Sequence, residues 1–166
     1  MKHKPQNQKS SKNSGFTLTE LTISAAIIGA LGATAFPHYL NQIETSCQRQ
    51  TVSVVSQILT QTQAFNDEFG TTAQTWTELD EIATIMTANG PATGGSLNSP
   101  ITLPPRCSYI VSSSVSEGKY IYTAFPPENY NQNLNIFACI NTATGASDIR
   151  RGNSSRAATE ADLRCP

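Results

Sequence analysis

The sequence predicts an α+β fold: one long N-terminal helix, apolar in its first half and amphipathic in its second, packed on a small antiparallel sheet. Three observations carry this reading. A run free of formal charge, Leu21 to Ile43, follows the single acid Glu20. Apolar residues then recur at helical spacing as far as Phe65. Beyond Cys107 the pattern changes to the alternation of strands.

The first segment, residues 1–15, is a basic leader. Lys2, Lys4, Lys9 and Lys12 precede Phe16, and no acid does. From Phe16 onward seven basic residues face twelve acidic ones, so this part of the 166-residue chain is acidic and nothing in its charge recommends nucleic acid as a partner. A positive head before an apolar run is the layout of an export signal.

Residues 16–43 form the apolar helix. The 23 positions from Leu21 to Ile43 are enough to cross a bilayer core. A single-pass anchor is the simplest reading. A cleaved secretory signal is another, since Ala33-Thr34-Ala35 resembles a small-residue cleavage site. Neither explains Glu20. A carboxylate in hydrocarbon costs about 2.5–3.5 kcal/mol on insertion scales and needs a partner, and no Lys or Arg lies within the segment. A cut between Gly15 and Phe16 supplies one: a new α-amino group one helical turn before Glu20, able to meet it within the chain or from a neighbouring subunit.

These residues carry a resemblance. Gly15-Phe16-Thr17-Leu18-Thr19-Glu20-Leu21, behind a lysine-rich leader and ahead of an apolar helix, resembles the processing motif of type IV prepilins and the related pseudopilins. Thr19 stands where Ile or Val is common in that family, a mild departure. The resemblance covers Ser14 to Glu44. It implies cleavage after Gly15 by a membrane-bound prepilin peptidase, N-methylation of Phe16, and an assembly role for Glu20. It also implies a kink at Pro37, whose ring removes an N–H donor and clashes with the Ala33 carbonyl; ending a membrane helix is the plainer role for that proline. Ala25, Gly29 and Ala33 form a small-residue row that suits close helix packing.

Residues 44–166 then form a globular head. Ile43, Cys47, Val54, Ile58 and Phe65 share a helical row, with Gln42, Gln48, Arg49, Gln57 and Gln63 between them as the polar side. A helix from Phe16 to Phe65 would be about 75 Å long, with its stop at Asn66 to Gly70. Thr75-Trp76-Thr77-Glu78 has capping-box spacing and opens a short helix at 76–88. Asn89 to Pro105 reads as a loop. Cys107–Ser113, Lys119–Phe125 and Leu134–Asn141 read as strands, with a hairpin turn at Ser116 to Lys119, and the tail after Asn141 is polar with little pattern.

The four cysteines lack CxxC spacing and lie far from His3 and His38, which argues for two disulfides in an exported chain and against a metal site. Cys47 lies on the helical row and Cys107 follows a Pro-rich loop returning to that helix. Cys139 lies in the last strand and Cys165 ends the polar tail. That placement favours Cys47–Cys107 and Cys139–Cys165, the second contributing roughly 3 kcal/mol by closing its loop.

No catalytic set is expected, nor any cofactor. Asp67-Glu68 and Asp80-Glu81 read as solvated charge, Asn153-Ser154-Ser155 matches a glycosylation acceptor only weakly, and the tyrosines and Trp76 suit packing. Arg150, Arg151 and Arg156 make a basic patch that could touch DNA, a surface glycan or a neighbouring subunit, a solvated loop being the simpler reading. By resemblance the chain is a pilus subunit and not an enzyme. The resemblance implies prepilin peptidase, the bacterial inner membrane and other pilin subunits as partners, and an extracellular pilus serving adhesion, motility or DNA uptake as the final place. A type II secretion pseudopilin and a periplasmic binding module cleaved after Ala35 are the alternatives.

Overall fold

Helix α1 runs from Leu18 to Phe69 and passes through Pro37 without ending. The computed structural model describes residues 15–166, so the lysines of the leader and His3 lie outside the described residues. The chain divides into two units, one ending at Tyr39 and one spanning Leu40–Pro166. In the first, every described residue is exposed, including Phe16, Leu21, Ile27, Ile28, Leu31 and Phe36. Among the described residues one helix, α1, is long and apolar enough to cross a membrane.

In the second unit α1 buries Cys47, Thr51, Val55, Ile58, Thr62 and Phe65, a stripe advancing by three or four residues. Gln48, expected on the polar side, is buried too. Its amide has a specific use, because Nε2 donates to the Gly152 carbonyl at 2.8 Å. The helix ends at Phe69, within the stop expected at Asn66 to Gly70. Gly70 follows with φ 66°, the left-handed conformation that glycine adopts without a Cβ penalty.

Helix α2, Trp76–Ile82, starts at the capping box: Thr75 Oγ1 accepts from Glu78 N–H, and the Glu78 carboxylate accepts from the Thr75 N–H. It stops six residues before the expected end. Met86–Thr87 (β1) and Gly90–Pro91 (β2) instead form a small hairpin, which takes those residues out of the helix.

The main sheet has five strands where three were expected. They are β3 (Ile101–Thr102), β4 (Ile110–Ser116), β5 (Lys119–Phe125), β6 (Ile136–Asn141) and β7 (Ala146–Arg151), an antiparallel meander in chain order. β4 begins later than expected because Cys107 and Ser108 are held in a turn, both N–H groups donating to the Pro104 carbonyl, with Ser108 at φ 47°. Leu134 belongs to a short 3₁₀ turn, Gln132–Leu134, ahead of β6. β3 lies inside the expected loop, and β7 in the tail expected to lack pattern.

Alternation places Tyr120, Tyr122 and Ala124 of β5 in the core beside Val111, Ile136, Ala138 and Ile140. Each large apolar side chain buried there contributes roughly 1.5–3 kcal/mol. Tyr122 is satisfied by Thr62 of α1 at 2.7 Å, and Tyr120 donates to the Ala73 carbonyl at 3.0 Å. Burial pushes the Tyr120 phenol up to about 12, so it stays neutral.

Cys139 falls on the opposite face of β6, yet it is fully buried. The C-terminal tail covers it: Cys139 is bridged to Cys165, and Asn141 Nδ2 donates to the Pro166 carbonyl at 2.8 Å. A second bridge, Cys47–Cys107, ties α1 to the turn before β4.

Candidate processing and assembly site

Gly15, Phe16 and Thr17 precede α1 in non-helical conformation. The helix starts where it does because Thr17 caps it. Thr17 C=O takes the first helical bond, from Leu21 N–H at 3.1 Å. Thr17 Oγ1 accepts from Glu20 N–H at 3.3 Å, and Glu20 Oε2 accepts from Thr17 N–H at 2.9 Å. Those two reciprocal bonds make a capping box, and the Thr17 hydroxyl adds a third bond by donating to the same carboxylate oxygen at 2.7 Å. Glu20 is therefore placed at the third helical position, where the positive end of the helix dipole also favours a carboxylate.

The role of Thr17 was absent from the sequence reading, although its signal was present. Thr17-Leu18-Thr19-Glu20 repeats the Thr-x-x-Glu spacing of Thr75 and Glu78.

Among the described residues no cation meets Glu20; the two salt bridges there are Arg150–Asp148 and Arg156–Asp162. The hydroxyl and amide of Thr17 satisfy one carboxylate oxygen and leave the charge itself unneutralised. An amine at Phe16, four residues earlier, would reside at the same first turn.

Gly15 is open among the described residues. A Cβ built there meets nothing within 4 Å, and the same holds at Gly29 in the small-residue row.

The head gathers the expected basic residues and one that was not singled out. Arg150, Arg151 and Arg156 line one cavity with Arg164. The Asn153 side chain is occupied in a turn, Oδ1 accepting from the N–H groups of Ser155 and Arg156 at 3.0 and 2.8 Å. No group of three or more His, Cys, Asp or Glu among the described residues is placed to hold a metal ion.

An apolar N-terminal helix whose later part packs on an antiparallel sheet is a pilin-like architecture. With two disulfides, it suits a chain held at a membrane and folded outside the cytoplasm. No protein-family model matches the chain, and no curated protein or solved structure does either.

Proposed function

We propose that the protein is a structural subunit of a type IV pilus filament. The precursor resides in the inner membrane, prepilin peptidase cuts it after Gly15, and Phe16 becomes the methylated N-terminus. The apolar part of α1 then passes from lipid into a bundle of like helices, which keeps its surface away from water.

The observation that carries this reading is the first turn of α1. A single carboxylate, oriented by Thr17 and unmatched by any cation among the described residues, follows Gly15-Phe16 at the head of an exposed apolar helix. Cleavage creates the missing positive charge beside it. The Leu40–Pro166 unit, closed by two bridges, provides the filament's outer coat.

Glu20→Leu in the full-length chain tests this. The variant is more apolar, so it should insert in the membrane and mature as usual. Its amount in filaments sheared from the producing cells should nevertheless fall about tenfold relative to the membrane pool. Incorporation equal to wild type would contradict the assembly role.

A further inference from the structure

The charges of the Leu40–Pro166 unit are unevenly spread: one end mixes arginines with acids around an arginine-lined cavity, and the other is almost wholly acidic. Arg150, Arg151, Arg156 and Arg164 are all exposed and line an open cavity of about 380 Å³. Arg150 pairs with Asp148 at 3.0 Å and Arg156 with Asp162 at 2.8 Å. Arg151 and Arg164 form no salt bridge among the described residues. Asp162 is the one acid lining the cavity, which therefore keeps a positive excess. The bond from Gln48 to the Gly152 carbonyl fixes this cavity at the Gln48 end of the packed helix.

Acids collect at the other end. Between Arg49 and Arg106 the chain holds five acids, Asp67, Glu68, Glu78, Asp80 and Glu81, and no base. Asp67 and Glu68 close α1, and the other three lie on α2. The bond from Tyr120 to the Ala73 carbonyl brings this region beside the β4–β5 turn, which adds Glu117 and one base, Lys119. Glu78 is spent on its cap and Asp67 accepts from Gln63. Glu68, Glu81 and Glu117 are exposed and form no salt bridge among the described residues, and Asp80 Oδ1 is buried without a partner. Gln48 and Glu68 are twenty residues apart on one helix, about 30 Å.

We propose that the arginine cavity of one copy receives the acidic α1–α2 end of the next, head to tail. The inference rests on the filament reading and names the contact between its subunits. Guanidinium forks match carboxylates in paired hydrogen bonds, and the cavity is lined by arginines without a lysine. The two surfaces differ and lie at opposite ends, so each contact leaves one of each kind free. Repetition then builds an open chain and not a closed dimer. A nucleic-acid backbone would engage the cavity alone and leave the five-acid end without a partner. A second copy uses both surfaces.

The test uses the full-length chain in its producing cells. Arg151→Glu with Arg164→Glu should lower incorporation into sheared filaments about tenfold, as should Glu68→Arg with Glu81→Arg. All four changes together should restore it to within about twofold. Mapping of both disulfides in the membrane pool confirms that each variant folds. Separately, Arg151→Lys with Arg164→Lys keeps the charge and adds amines for carbodiimide cross-linking. Zero-length links from those positions should reach Glu68, Glu81 or Glu117 of another copy, in filaments or in membranes. Unchanged incorporation of the first variants, failure of the combined variant with both bridges intact, or links to other residues would overturn the proposal. So would an oligonucleotide held by wild-type filaments and lost in Arg151→Glu/Arg164→Glu at unchanged incorporation, since it would assign the cavity to phosphate. Absence of the wild-type chain from filaments would strike the filament reading instead, with the membrane cross-links still deciding the contact.

Discussion

Asn135 holds Ala158 as a neighbouring strand would. Its Nδ2 donates to the Ala158 carbonyl at 2.9 Å, and Ala158 N–H donates to its Oδ1 at 2.8 Å. Both residues are buried, so the tail's backbone is satisfied there by one side chain. Asn135→Ala orphans both groups and should destabilise the head by about 2–3 kcal/mol. Denaturant melts give the magnitude, and amide exchange should show faster opening of residues 152–166 first.

Gly152 lies in the same knot. A Cβ there would run into the Asn133 carbonyl and come within 2.8 Å of Asn135 Oδ1 and 2.9 Å of Ala158 N. Backbone surrounds it, so nothing can yield cheaply. Gly152→Ala should cost about 3 kcal/mol or more, whereas Gly15→Ala, in open space, should leave the melt unchanged.

The Cys139–Cys165 bridge closes a loop with a sequence separation of 26. Replacing both cysteines by serine should cost about 2–4 kcal/mol and expose the tail to protease before the rest of the head opens. A tail resistant to protease without the bridge would show that Asn135 and Gln48 suffice to hold it.

Acid should loosen α2. The hydrogen bond from the Gln74 backbone N–H, above all, holds the Glu78 carboxyl below its ordinary value of 4.5; burial opposes it, and bonds from Thr75 add to the lowering. A depressed carboxylate pKa means that the unfolded state binds the proton more readily. Its stabilisation is present in full above 4.5 and is lost as pH falls from there through the depressed folded value. Wild-type melts should drop over that window, and Glu78→Gln should be less stable at pH 7 with a shallower acid loss.

What could be read in advance follows from where the physics is local. The Thr75–Glu78 box is set by four adjacent residues and was legible. The identical spacing at Thr17–Glu20 is masked by the apolar run behind it, which makes the acid look like a membrane charge. β7 hides because Ala146–Arg151 is an edge strand with one large apolar residue, Ile149, and takes its conformation from pairing with β6. β4 extends through four serines because β5 opposite supplies the pattern, with Ser112 and Thr123 hydroxyls joined at 3.0 Å. The buried Gln48 depends on a carbonyl more than a hundred residues away, which no helical periodicity can report.

The mature N-terminus decides the central claim. Mass spectrometry of the full-length product from its producing cells should find the chain beginning at Phe16, with one methyl on its amine, so that a cation stands one turn from Glu20. A chain that still carries residues 1–15, or one that begins at Phe36, would contradict the account.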